Sequence, residues 1–417
     1  MDNSIALILY ILAYTLLLAY LIKGKKSGVS KLVTGIWLFS AVCGYVYYNI
    51  YARFFRTDID VSGEALIYLF VCFVISIYPF FNIQCSDKGL ENNYSKLKIL
   101  AIFIIALNLL PFLANTLYFL THSSVAEMGE KYGGDKTTIT GLPAMLNRYA
   151  TYLRVFTTVI FFYLLSCKRK TSIFIYAGLI MAIVNPVLNN LNVGSRYAFV
   201  LETLYTLAIY LIFAPRINSE TKKMIKKVGI GVIGLFGFYF AMITINRFTD
   251  SFDFQDENPI LISTSLYAGE SSVNFSTMMW GSENYTDGDN CFYIFKHLAG
   301  SSPGEHRDSE MLQIKSKLPL NTFFTFIGDF YIDFGPYGAF AFITLLSLTA
   351  MYLVKQLRKR FSFCSLIWIA IIIKIIIAGF TYYPYMNVPY EIVYSIAVNI
   401  LLSLYLTTTN KKQLSIK

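Results

Sequence analysis

The chain has 417 residues, of which 56% are apolar and only 14% charged, so it holds more apolar surface than one water-soluble core can bury and a bilayer is its natural solvent. Its formal charge of +10 comes from short basic clusters at the ends of apolar runs, a pattern that encodes membrane orientation and excludes a phosphate-backbone footprint. The six cysteines, Cys43, Cys72, Cys85, Cys167, Cys291 and Cys364, mostly lie in or beside apolar runs and form neither a disulfide framework nor a metal-ligand spacing.

A helix needs roughly 20 apolar residues to cross the hydrocarbon. Runs of that kind predict spans near 4–22, 32–52, 64–84, 99–121, 149–167, 173–191, 197–214, 228–246, 335–354, 361–380 and 389–408. The first has no basic residue ahead of it and no small-residue cleavage site behind it, so it reads as a span and not as a removable signal. The expected fold is an all-α polytopic membrane protein of about eleven transmembrane helices, one integral membrane domain over 1–417.

Most of the 35 lysines and arginines fall in the connections 23–31, 88–98, 168–170, 216–227 and 355–360 and in the tail after 410. With eleven spans these lie on one side, which the positive-inside rule makes the cytoplasm, so the N-terminus is expected outside and the C-terminus inside. The outward connections 53–63, 122–148 and 247–334 carry most of the acidic residues. The last is a long extracytoplasmic loop, the one place with room for a lid or small cap, and function is expected there against the outer helix ends.

The tightest outward turn is Asn192-Val193-Gly194-Ser195-Arg196, which sets an arginine at a helix end beside a glycine. Arginine keeps its charge and grips phosphate or carboxylate with two prongs, so the turn suits an anion; it equally suits an arginine that snorkels to anchor the helix. Arg247 has the same placement at the end of the next outgoing span, and two such cations could clamp a pyrophosphate. In the long loop, Glu270, Glu305, His306 and Arg307 supply the carboxylate, imidazole and cation needed when a sugar hydroxyl loses a proton and an anionic group departs, although each also suits a solvated loop.

Asp329 and Asp333 are four apart, so on a helix they share a face, with Tyr331 between them as an aromatic neighbour; that face suits a sugar, or simply the N-terminal end of a helix. The pairs Asp287-Gly288-Asp289 and Asp58-Ile59-Asp60 resemble the two-aspartate metal signature of many glycosyltransferases, a short pattern that acidic loops also produce by chance. With only three histidines a zinc site is not expected, and no Walker loop or dinucleotide fingerprint occurs; neither metal nor cofactor is predicted. Lys374 sits within an apolar span, where it would neutralise a buried carboxylate or line a lipid groove.

The turn Gly194-Ser195-Arg196, the late outer loop and the run from Asn321 to Gly338, most of all Thr325 to Gly338, resemble the Wzy-type oligosaccharide repeat-unit polymerases of bacterial O-antigen and capsule assembly. The resemblance implies a membrane glycosyltransferase, compatible with a GT-C-like architecture. It would transfer a growing chain from undecaprenyl pyrophosphate onto the terminal sugar of a new lipid-linked unit at the outer face of the bacterial cytoplasmic (inner) membrane. It implies Arg196 as the essential cation, with Arg247 and Arg307 beside it, and lipid-linked oligosaccharides, membrane lipid, a chain-length regulator and a flippase as partners, with no nucleic acid. Two other readings stand beside it. A flippase of lipid-linked oligosaccharides would call for internal repeats and midplane charges in both halves, and none is evident. An O-antigen ligase would keep the chemistry and change the acceptor, while a membrane acyltransferase would want a histidine near the membrane.

Overall fold

The computed structural model describes residues 3–50, 60–122, 139–193, 195, 197–249, 258–301, 309–319, 322–386 and 388–414. Every element among them is helical, as a chain in lipid requires: only a helix satisfies its own backbone hydrogen bonds without water or a partner strand. In chain order the α-helices are α1 (Asn3–Lys23), α2 (Gly28–Ile50), α3 (Gly63–Ile77), α4 (Tyr94–His122), α5 (Gly141–Tyr152), α6 (Arg154–Ser166), α7 (Ile173–Asn192) and α8 (Tyr197–Phe213). There follow α9 (Ser219–Thr249), α10 (Pro259–Asn274), α11 (Tyr293–Leu298), α12 (Ser309–Ser316), α13 (Thr325–Lys359), α14 (Phe363–Ala378) and α15 (Pro389–Leu414).

Among the described residues nine helices are long and apolar enough to cross a membrane, or ten if the pair α5 and α6 is one span bent by 63°. The chain is thus an all-α, multi-pass membrane protein. The expectation of eleven spans is corrected at two places. The run 149–167 is broken at Leu153, between α5 and α6. The run 361–380 yields only the 16 residues of α14, about 24 Å at 1.5 Å per residue and short of a ~30 Å hydrocarbon core. Helix α14 stops because Gly379 and Thr381 turn their carbonyls to accept from the amides of Phe326 (2.9 Å) and Thr325 (2.8 Å).

Within the segment 247–334, the described residues include α10, a π-turn at Phe275–Met279, α11, α12 and the first ten residues of α13. Helix α13 begins well before the predicted 335 and kinks at Gly335, whose φ of 70° is left-handed backbone that favours glycine. Pro336 lacks the N–H that Ile332 would accept from, and the orphaned Ile332 carbonyl accepts instead from Thr286 N (2.9 Å); Asp333 O accepts from Asp287 N (3.0 Å). The kink therefore staples the 286–291 stretch in place.

The chain divides into two units: unit 1 comprises 1–84, 261–355 and 371–390, and unit 2 comprises 85–260, 356–370 and 391–417. Lipid is as apolar as leucine, so helices in a bilayer associate through small residues and polar contacts more than through burial of oily surface. Unit 1 follows that rule. A Cβ on Gly269 would fall 2.3 Å from the backbone of Cys43, so α10 and α2 touch backbone to backbone, and Ser40 Oγ donates to Ala268 O (2.6 Å). Trp37 fills the space behind, donating from Nε1 to Ile376 O (3.0 Å), with its ring tilted at 37° against Phe73 (centroids 4.8 Å apart).

In unit 2, α4 and α7 lie so close that a Cβ on Gly178 would meet Ile105 at 2.8 Å. Asparagines bridge them. Asn185 donates to Asn108 Oδ1 and Asn147 Oδ1 (both 3.0 Å) and accepts from Asn115 (2.9 Å), while Asn147 donates to Asn189 (3.0 Å) and Asn192 to the Asn115 carbonyl (3.1 Å). The basic connections of this unit meet one another. Arg216 Nε donates to Asp87 (2.8 Å), the Phe361 amide to Lys88 O (2.9 Å), Tyr94 Oη to Lys170 O (3.0 Å) and the Lys168 amide to Glu91 (3.0 Å). Four of the six connections grouped by their charge, near 88–98, 168–170, 216–227 and 355–360, thus meet within the unit.

Candidate functional site

Glu270 is the one proposed proton acceptor whose side chain falls within the described residues, and the run Ala268-Gly269-Glu270-Ser271 fixes it residue by residue. Ala268 and Gly269 are pinned to α2 as above. Ser271 Oγ donates to Phe380 O, which ties α10 to the turn after α14. Glu270, left half-buried between these anchors, accepts from the Phe323 amide (3.3 Å).

Phe323 belongs to a row of three half-buried rings. It stacks on Tyr382 with centroids 5.6 Å apart and planes within 18°, and Tyr267, one turn before Glu270, approaches it at 6.2 Å. Aromatic faces next to a carboxylate offer a sugar both a surface for its C–H face and an acceptor for its hydroxyls. The rings and the carboxylate all lie in unit 1, and the anchoring of 268–271 makes the position of Tyr267 and Glu270 on α10 a property of the helix packing.

Asp329 and Asp333 both lie in the first turns of α13, and both carboxylates are buried. Asp329 is 3% exposed and accepts from Tyr383 N (2.6 Å). Asp333 is 1% exposed and accepts from Thr286 Oγ1 (2.5 Å), Asn290 N (2.9 Å) and Cys291 N (2.8 Å), so it caps the stapled 286–291 stretch. Tyr331 between them is also buried, and its hydroxyl accepts from Gly281 N (3.1 Å). A buried carboxylate must be hydrogen-bonded, and here the loop supplies the donors.

Asp287 and Asp289 pair with lysines. Lys315 Nζ lies 3.0 Å from Asp287 and 3.1 Å from Asp289, and Lys296 pairs with Asp289 as well. Partial burial pushes the Asp289 carboxyl up, but the hydrogen bonds and charges of Lys296 and Lys315 outweigh it and hold the group below its ordinary value of 3.8. Burial pushes Lys315 down, and its bonds to Asp287 and Asp289 outweigh that and raise it above 10.5. Among the described residues no cluster of histidine, cysteine and acidic side chains could hold a metal ion.

Gly194, Arg196, Glu305, His306 and Arg307 lie outside the described residues, and so does Asp58. Arg247 falls in the last turns of α9, with its side chain outside the described ones. Ser195 donates its amide to Asn190 O (2.9 Å), closing the turn after α7. Lys374 is fully buried in α14 with its ammonium 5.6 Å from the centre of the Tyr385 ring.

One group of charges is absent from the sequence reading. Arg154, the first residue of α6, lies between Glu202 of α8 (3.0 Å) and Glu391 of α15, whose two oxygens face its Nε (3.1 Å) and Nη2. All three side chains are at most a tenth exposed. The signal was available: each lies inside a predicted span, where an ionised side chain is costly and must find partners.

No family model matches the chain, and no curated protein or solved structure is similar to it. Function rests on the side chains themselves.

Proposed function

We propose that the chain is a membrane glycosyltransferase that joins polyprenyl-pyrophosphate-linked oligosaccharides into a polysaccharide of the O-antigen or capsule kind. The observation that carries this reading is the placement of Glu270, rigidly held and half-buried, at the edge of the Tyr267, Phe323 and Tyr382 rings. The acceptor sugar lies on the rings with its hydroxyl toward Glu270. As the acceptor oxygen bonds to the anomeric carbon of the donor, the bond from that carbon to the pyrophosphate oxygen breaks, the hydroxyl proton passes to Glu270, and the lipid diphosphate leaves.

Arg196 and Arg247, at the ends of outgoing spans in the sequence, stabilise the departing diphosphate, with Arg307 in support; the Glu305 and His306 pair is the alternative to Glu270 as proton acceptor. Gly194 and Ser195 belong to the same substrate-binding turn as Arg196. The lipid tails lie among the apolar helices, and the reaction takes place at the outer face of the cytoplasmic membrane, where a flippase delivers units and a chain-length regulator limits the product.

The test is the chain-length profile of surface polysaccharide after deletion of the gene, and after complementation with wild type or Arg196→Ala. Loss of all polymer with retention of single-unit products, restored by wild type and not by Arg196→Ala, is the expected result. Loss of the single-unit products as well would point to transport or ligation, and unchanged chain lengths with Arg196→Ala would remove the arginine from the mechanism.

A further inference from the structure

Farther along the chain from Glu270, α10 gives way to the π-turn Phe275–Met279, in which the Trp280 amide donates to Phe275 O (3.0 Å). Such one-turn bulges re-aim the side chains that follow them. Here the outcome is a nest of five rings in unit 1. Phe275 and Tyr331 form its buried floor, with centroids 5.4 Å apart and planes at 88°, and the half-buried rings of Tyr68, Trp280 and Tyr285 stand around it. Trp280 lies 5.2 Å from Tyr68, 6.0 Å from Phe275 and 5.8 Å from Tyr331; Tyr285 lies 6.3 Å from Tyr331.

The nest is built and not incidental. Tyr68 Oη donates to Pro336 O (2.7 Å) at the kink of α13, and Tyr285 rests against Gly335, where any Cβ would strike its ring at 2.7 Å. The buried Tyr331 hydroxyl uses a lone pair to accept from Gly281 N, and no acceptor for its own proton lies among the described residues. A phenol hydroxyl with a proton still to donate, ringed by half-exposed aromatic faces, suits a sugar: the rings take its C–H face and a sugar oxygen accepts the proton.

From this we infer that the ring nest is a second sugar subsite, which stacks a pyranose on Trp280 and accepts the Tyr331 hydroxyl proton on a sugar oxygen. The inference rests on the glycosyltransferase reading and extends it. Residues 267 and 275 are eight apart on a helical run, about 12 Å at 1.5 Å per residue, so one oligosaccharide of a few units spans both the Glu270 platform and the nest. The nest holds the remote sugars of a lipid-linked unit while its terminal sugar meets Glu270. Binding energy from such remote sugars is what makes a long repeat unit a better substrate than a short one.

The experiment is a fluorescence titration of the purified full chain in lipid nanodiscs, using as probe the lipid-free oligosaccharide released by mild acid from the native strain's own polysaccharide. The chain has three tryptophans, Trp37, Trp280 and Trp368, so the signal from the nest is the difference between wild type and Trp280→Phe. We expect a saturable change in wild type that is absent in Trp280→Phe, kept in Glu270→Gln, and shifted about tenfold to weaker binding in Tyr331→Phe, a variant that removes only the hydroxyl. No saturable change, or a change that survives Trp280→Phe or is unmoved by Tyr331→Phe, overturns the subsite. A saturable signal of the expected kind combined with full polymerisation by Glu270→Gln would keep the subsite and sink the role given to Glu270.

Discussion

Unit 1 and unit 2 both carry polar side chains among apolar helices, but they use them in opposite ways. In unit 2 the polar groups answer one another: Arg154 between Glu202 and Glu391, and Asn108, Asn115, Asn147, Asn185, Asn189 and Asn192 in one hydrogen-bonded relay. In unit 1 a carboxylate is fixed by its neighbours' bonds while its own headgroup stays half-buried beside aromatic faces. Charge paired deep inside a bundle specifies which helices sit together; a half-buried carboxylate beside aromatic faces can meet a substrate.

Removing one member from each set should separate the two uses. Glu270→Gln should lower polymerising activity by about 10²–10⁴-fold, the usual worth of a general base, and leave thermal unfolding in detergent within about 1 kcal/mol of wild type. Glu391→Ala should do the reverse in kind. It leaves Arg154 buried without its two-pronged partner, and a loss of about 3–5 kcal/mol is expected in a chemical or thermal unfolding titration. If Glu391→Ala were as stable as wild type, the triad would not be a structural clamp.

Smaller effects sharpen the contrast. Asn185→Ala removes a side chain that makes three of the relay's bonds, and at about 0.6 kcal/mol per bond between membrane helices the expected loss is roughly 2 kcal/mol, read in the same unfolding titration. The smallest change belongs to the exposed lysine pairs of unit 1: Lys315→Met should cost about 0.2–1 kcal/mol. Its pH dependence has a defined sign. Asp289 is held below 3.8, so its contribution is full above the ordinary carboxylate value and fades as pH falls through the depressed one. Lys315 is held above 10.5, so its contribution is full below that and fades as pH rises through the raised value. The difference in stability between wild type and Lys315→Met should be flat at neutral pH and shrink toward acid; a difference that grows toward acid would contradict the pairing.

The spans were legible because a run of apolar residues long enough to cross lipid has few other uses. Length was less legible: the run ending near 380 reads as a full span, yet the carbonyls of Gly379 and Thr381 are taken by the start of α13, and α14 stops at 16 residues. The helices inside 247–334 were hidden by mixed composition, since α10 alternates serines and glycine with apolar residues and is held by contact with α2.

At the level of single residues, what the sequence withheld was partnership over distance. Asp333 looks like an open acidic residue until Asn290, 43 positions away, donates to it. Arg154 and Glu391 are 237 positions apart, and nothing local to either announces the other. Glu270 was legible as chemistry, a carboxylate in an acidic stretch, but not as geometry, because Phe323 and Tyr382 come to it from two other parts of the chain.

The most direct measurement is polymerisation by purified wild-type and Glu270→Gln protein in nanodiscs, with lipid-linked repeat units as the sole sugar source and product length read on a gel. Wild type should build a ladder of products while the folded Glu270→Gln variant stays at the single unit. A ladder of the same length and rate from Glu270→Gln would mean that the half-buried carboxylate beside the three rings takes no proton from the acceptor.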